Sequence, residues 1–330
     1  PVYGLPQRAE PLYLSRAGIE SFWTVYLEDT GTLYIQYNRV QSGIGGLVRE
    51  IQEILDQEVV ERVVLDLRLN PGGDNTTYRS LLDLLSTDTR INRPGHFFTI
   101  LGRQTFSAAS NFATELENRT HTIFVGEPMG GSPNLFGDVV PITLPNSRIQ
   151  IFISARYWEK SSPDDNRVWI EPDLPASLSS QDFFSKLDPS MDAILAFDPS
   201  SGYIPAYNPI LEPSLPNEWE SADVRDPYVV EFEGTYYMFY AGQDVNGASS
   251  IGYATSQNGR KWFRSKSNPV LMGSGEGYDG YGVSAPAIHR EGDVWAMYYA
   301  AIEKPGGRPT AIGRATALSL KGPWERSEIP

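Results

Sequence analysis

Residues 101–112 read LGRQTFSAASNF, and Ser107 is the residue there whose type and setting could do chemistry. The apolar run FFTIL (97–101) before it reads as a strand, and the stretch 108–116 after it reads as a helix. A serine at such a corner is either a helix N-cap or a nucleophile. As a nucleophile it would stand at the positive end of the helix dipole, where the N–H of Ala108 can donate to an oxyanion. A second donor must come from another element. The turn Asn70-Pro71-Gly72-Gly73 follows the short apolar strand VVLDL (63–67), and its glycines let bare backbone N–H groups approach a ligand closely. Taken singly, each stretch is an ordinary signal: serine caps helices, and Asn-Pro-Gly-Gly makes turns.

A second carboxylate-bearing motif is Asp226-Pro227 within VRDPYVV. An exposed aspartate at a strand start can serve hydrolysis, but glycoside chemistry needs two carboxyl groups flanking one bond. The plainer role is local, with the side chain accepting neighbouring N–H bonds. The aromatic run 236–240 (YYMFY) reads as sheet core, because alternate strand positions must be buried. Glu276 and Asp279, in the loop before Val283, are candidates for sugar contacts.

The rest of the composition excludes several classes. There are no cysteines, which removes disulfides, thiol nucleophiles and thiolate metal sites. His96, His121 and His289 lie far apart without His-x-x-x-His spacing, so no metal site is expected. A net charge of −14 argues against nucleic acid or an anionic membrane as partner. No run approaches the ~20 apolar residues that a bilayer crossing requires. No nucleotide or redox cofactor motif is present, and no cofactor is expected. Asn75-Thr-Thr and Asn118-Arg-Thr match the glycosylation pattern, and Asp244-Val-Asn-Gly reads as a turn because the later acidic ligands of a calcium loop are missing.

These residues must be positioned by two kinds of architecture. From 32 to 125 the pattern alternates: strand 32–37, helix 44–55, strand 63–67, helix 78–85, strand 97–101, helix 108–116, strand 122–125. Such alternation predicts βαβ units and a largely parallel sheet. Segments 139–144 and 148–154 predict a hairpin through Pro145-Asn146-Ser147. Residues 198–207, rich in Pro, Gly and Ser, read as a linker between a first domain, 1–197, and a second region. Beyond it the chain repeats at an offset near 60: NPIL (208–211) with NPVL (268–271), VRDPYVV with VSAPAIH, YMFYA with AMYYA, IGYAT with IGRAT, and Trp262 with Trp324. The repeats, 208–267 and 268–330, predict two aromatic-rich antiparallel blades. Two blades cannot close a ring, so continuation past Pro330 or completion by another chain is expected, with self-association through open blade faces as one route.

The segments VVLDLRLNPGG (63–73), TFSAASNFATELE (105–117), FVGEPMGG (124–131) and IEPDLPASL with DPSMDAIL (170–195) resemble the tail-specific, or C-terminal processing, serine peptidase family across residues 30–197. The resemblance implies an α/β ClpP/crotonase-like fold and a polypeptide substrate. It also implies Ser107 as nucleophile, with Ala108 and Gly72 or Gly73 as the oxyanion hole. The family's best-known branch has Gly-Lys where this chain has Gly130-Gly131, so its lysine base is missing. Another branch uses an upstream histidine and a downstream acid, for which Glu171 or Glu159 is the candidate. The chain begins at Pro1, and an upstream region carrying the base is expected. VRDPYVVEFEGTYYMFYAG (224–242) and VSAPAIHREGDVWAMYYAA (283–301) resemble the first two blades of the five-bladed propeller glycosidases. That resemblance implies a partial all-β propeller, carbohydrate as ligand, and Asp226 as base or nucleophile. Together they imply a secreted or cell-envelope hydrolase. Its alternatives are a carbohydrate-active or carbohydrate-binding protein, and an inactive assembly protein.

Overall fold

The computed structural model describes residues 10–16, 18–199 and 210–327, in two compact units, Pro1–Pro205 and Ala206–Pro330. The expected linker at 198–207 lies outside the described residues apart from Asp198 and Pro199. Among the described residues no helix is long and apolar enough to cross a membrane.

Unit 1 runs α1 (Leu12–Ser15), β1 (Phe22–Leu27), β2 (Thr32–Tyr37), α2 (Ile44–Gln57), β3 (Arg62–Asp66), α3 (Arg79–Thr87), β4 (Phe97–Leu101), α4 (Ala108–Arg119) and β5 (Ile123–Gly126). Then come β6 (Asn134–Thr143), β7 (Gln150–Glu159), β8 (Leu174–Pro175), α5 (Ser180–Phe184) and α6 (Pro189–Ala196). Six strands form one sheet in the order β1-β2-β3-β4-β5-β8. β1 is antiparallel to β2, and the others run parallel. β2, β4 and β5 are buried at every position, as a sheet covered on both faces requires. On one face α2, α3 and α4 supply Leu47, Ile51, Leu81, Leu85 and Phe112 against Leu33, Ile35 and Leu65 of the sheet. On the other, Met191 and Ile194 of α6 pack on Tyr34, Val64, Phe98 and Val125.

β2 and β4 coincide with the predicted strands, and α2 and α4 extend the predicted helices by two and three residues. β1, β8, α5 and α6 were not anticipated. The hairpin forms around the predicted turn, but its strands reach back to Asn134 and on to Glu159, and among the described residues they pair only with each other.

A buried ionic cluster ties β3 to α6. The Arg68 guanidinium donates to both Asp188 oxygens at 2.8 and 3.0 Å and to Asp66 at 3.1 Å, and it lies 4.2 Å over the Tyr13 ring. The Tyr34 hydroxyl adds a contact of 2.7 Å to Asp66 Oδ2. The two carboxylates outweigh the burial that opposes the charge, and they raise the Arg68 pKa above its ordinary value.

Unit 2 contains β9 (Asp223–Phe232), β10 (Thr235–Gln243), β11 (Ser249–Ser256), β12 (Phe263–Arg264), β13 (Gly282–Glu291), β14 (Val294–Ile302), β15 (Ala311–Ala317) and β16 (Glu325–Arg326). They form two four-stranded antiparallel sheets, β9–β12 and β13–β16, neither of them closed. The sheets share one core, in which Phe239, Ile251 and Tyr253 of the first meet Val283, Met297 and Tyr299 of the second. The aromatic run 236–240 is buried from Tyr237 to Tyr240. The glycine repeated in IGYAT and IGRAT has a packing cause. A Cβ at Gly252 would lie 2.7 Å from the Trp219 ring, and one at Gly313 2.2 Å from the Tyr299 ring.

Candidate active site

The turn 70–73 and Ser107 both follow parallel strands, at the carboxyl end of the sheet where open α/β folds place their sites. Asn70, fully buried, builds the turn. Its side-chain amide donates to the Tyr37 carbonyl at 2.7 Å, its Oδ1 accepts the Gly72 N–H at 2.9 Å, and its own carbonyl accepts the Phe106 N–H at 3.1 Å. Strand β2, the turn and the residue before Ser107 are thereby joined in one small frame. Thr105 extends it: its hydroxyl donates to the Leu67 carbonyl at 2.8 Å, and its carbonyl accepts from Ser110 Oγ and the Gly130 N–H.

Ser107 occupies the N-cap position of α4, yet its side chain makes no capping bond. Its backbone sits at φ 56°, ψ −122°, a region that non-glycine residues avoid. Among the described residues Ser107 Oγ has no hydrogen-bond partner, and the residue is half-buried. An uncapped serine held in a strained corner differs from the plain cap the sequence allowed.

Gly72 lies directly against this corner. A Cβ on it would stand 2.8 Å from Ser107 Cβ and 2.9 Å from the Ala108 nitrogen. Its own N–H is occupied by Asn70, whereas the N–H groups of Gly73 and Ala108 have no partner among the described residues. Gly73 requires glycine as well, since a Cβ would reach 1.9 Å from the Val40 carbonyl oxygen. A cleft of about 410 Å³ adjoins the turn, lined by Ile19, Glu20, Asn38, Arg39, Pro71 and Gln104.

The candidate acids and bases stand elsewhere. Glu171 is exposed and accepts the Trp169 indole N–H at 2.5 Å. Glu159 ends β7, opposite Asn134. His96 holds the Glu61 carbonyl at 2.8 Å through Nδ1, the His121 backbone N–H donates to Asn92 Oδ1 at 2.7 Å, and His289 stacks on Tyr298 in unit 2. At Gly131, a Cβ would come within 2.6 Å of Ser110 Oγ, which leaves no ready space for a longer side chain. Sequence reading missed Asn70 and Thr105. Their signals were an asparagine opening a Pro-Gly-Gly turn and a threonine before the corner, both residue types that bond backbone locally.

In unit 2, Asp226 is exposed with φ 55°, at an irregularity in the β9–β10 pairing between Phe239 and Ala241. The equivalent Ala285 has φ 45° at the matching break in β13–β14 pairing. Asp226 Oδ2 lies 3.6 Å from Arg225 Nε. Asp279 is buried and saturated, by Ser274 at 2.6 Å, Arg326 at 2.7 Å and Tyr299 at 2.9 Å, so it holds its loop instead of facing a ligand.

No protein-family model matches the chain, and no curated protein matches it. Similar solved structures include a putative peptidase from Parabacteroides merdae, at 16% identity and TM-score 0.40, covering 54% of this chain and 65% of that one. A putative S41 protease from Bacteroides fragilis is 15% identical with TM-score 0.40, covering 53% of this chain and 56% of its own. The chain thus spans less than two thirds of the length of both. A glycosyl hydrolase from Bacteroides ovatus is 27% identical with TM-score 0.29, covering 33% of this chain and 32% of that one. Peptidases and glycoside hydrolases, the two kinds of protein whose motifs this sequence resembles, are both among its structural neighbours.

Proposed function

We propose that unit 1 is the core of a serine peptidase of the tail-specific type with a ClpP/crotonase-like fold. Ser107 Oγ attacks the carbonyl carbon of a peptide bond, and its proton passes to a general base. The N–H groups of Ala108 and Gly73 hold the oxyanion of the tetrahedral intermediate. Collapse expels the amine, which takes up a proton, and water then hydrolyses the acyl-enzyme. Among the described residues none is hydrogen-bonded to Ser107 Oγ, and we propose that the base comes from outside this segment. The cleft beside Pro71 and Gln104 is the place for the substrate chain. The observation that carries this reading is Ser107 itself, an N-cap serine in a strained strand-to-helix corner whose hydroxyl, like two adjacent N–H groups, has no partner among the described residues.

A fluorophosphonate probe on the protein tests it. Label on Ser107 is expected, absent in Ser107→Ala and strongly reduced in Gly72→Ala, whose Cβ would intrude on the corner. A chain that leaves Ser107 unlabelled even with its natural upstream and downstream sequence refutes the reading and leaves an assembly protein.

Unit 2 supports a second reading, as the first two blades of a carbohydrate-active propeller. The exposed Asp226 on its kink favours it; its carboxylate and that of Asp223 both approach the Arg225 guanidinium, and hydrolysis would need a carboxyl on the far side of the bond as well. Sugar binding without hydrolysis is the expected property of these residues. Calorimetry with arabino- and xylo-oligosaccharides, using Asp226→Asn as the comparison, checks it.

A further inference from the structure

The β6–β7 ribbon presents a face that the rest of unit 1 does not use. Its register sets Phe136 opposite Tyr157, Val140 opposite Ile153 and Ile142 opposite Ile151, and opposed residues share a face. All six are exposed, Phe136 at 67% and Ile153 at 51%. Between 134 and 158 the charged residues are Asp138, Arg148 and Arg156. The Asp138 carboxylate is drawn to 4.0 Å from Arg156, which itself stacks 3.9 Å over Trp158 of the opposite face. By the alternation of β6, Asp138 stands between Phe136 and Val140, and it is the one charged residue among these positions.

Two strands alone are marginal in water and need a third strand or an apolar partner to be stable. Among the described residues both ribbon edges are unpaired, since β6 and β7 bond only to one another. The six side chains expose on the order of 600 Å² per copy, so two copies laid face to face would remove roughly 1,200 Å² from water, the size of a specific interface. That is also at the upper limit of what a lone monomer ordinarily leaves exposed.

We propose that this face is the interface with a second copy of the chain, paired about a two-fold axis. A two-fold operation lays the same patch on itself, and a largely apolar patch of aliphatic and aromatic side chains is complementary to its own copy. Charge points the same way. Chains of net charge −14 repel one another, and this ribbon, with one aspartate and two arginines, is where approach is least opposed. A strand from another polypeptide added to an edge would satisfy backbone groups but leave the six-residue face wet, so it does not account for that face. The proposal is independent of the chemistry at Ser107.

Sedimentation equilibrium of the 330-residue chain is expected to give a dimer at micromolar concentration. Ile153→Lys would bury an ammonium in the interface and should weaken dimerisation by at least about tenfold. Val59→Lys, at an exposed site between α2 and β3, should leave the dimer unchanged. The absence of native cysteine gives a second measurement: Ile153→Cys is expected to form a disulfide-linked dimer on mild oxidation, and Val59→Cys is not. A chain that stays monomeric at 100-fold higher concentration (about 100 μM or more), or a dimer that Ile153→Lys leaves intact, overturns the proposal. Monomer together with protection of the ribbon by an added peptide would assign the face to a different polypeptide, and equally overturns it.

Discussion

Ser107 adopts a backbone conformation that nothing in its own side chain relieves. A left-handed φ in a residue with a Cβ costs of order 1–3 kcal/mol, and here no capping bond offsets it. Ser107→Gly should therefore raise stability by about 0.5–1 kcal/mol while abolishing probe labelling. Ser107→Ala, which keeps the Cβ, should lose labelling with little change in stability. Chemical denaturation of the two variants separates these outcomes, and a Ser107→Gly variant less stable than Ser107→Ala would contradict the strain. Ser107, Gly72 and Gly73 were legible in the sequence because their chemistry is local: a serine between strand and helix, and glycines in a turn. Which glycine N–H stays free was not legible. It depends on Asn70, whose amide reaches the carbonyl of Tyr37, 33 residues earlier, and no spacing rule reports such a contact.

Elements with a strong period were readable, and those without one were not. β8 has two residues, one of them proline, and offers no alternation to detect. The hairpin strands were foreshortened because apolar residues on both faces erase the alternation that marks a strand end. Loop chemistry was harder still, as Asp279 illustrates. Burial pushes its carboxyl up, but hydrogen bonds from Ser274, Arg326 and Tyr299 outweigh this and hold it below the ordinary 3.8. A depressed carboxylate stabilises fully above its unfolded value and loses that contribution as pH falls through the folded one. Asp279→Asn should therefore cost about 1–3 kcal/mol at neutral pH, with the gap from the parent closing only below about pH 4. Glu220 behaves oppositely. Burial raises it above 4.5 despite Tyr240 and Arg264, so its contribution declines as pH rises past that value. Urea titrations at several pH values read both slopes.

At the scale of the molecule, the division near residue 205 matches a change in architecture from a mostly parallel sheet with helices to antiparallel sheets alone. Each unit carries its own core, so unfolding should proceed in two transitions. Arg68→Ala leaves Asp66 and Asp188 buried and uncompensated, which should lower the transition of unit 1 by about 3–5 kcal/mol. The transition of unit 2 should stay in place. Calorimetry of the variant checks this, and a common shift of both transitions would show a single cooperative unit. The repeat in unit 2 was visible as sequence, but its backbone kink was not, because it is a matter of φ and not of residue type.

That kink has a practical meaning for anyone testing Asp226. Its counterpart at Ala285 takes nearly the same backbone angle and the same break in pairing with only a methyl group. The molecule thus contains, one repeat along, the alanine replacement of its own aspartate, already folded. An Asp226→Ala variant has a built-in precedent, and any sugar binding it loses can be assigned to the missing carboxylate and not to a sheet that has come undone.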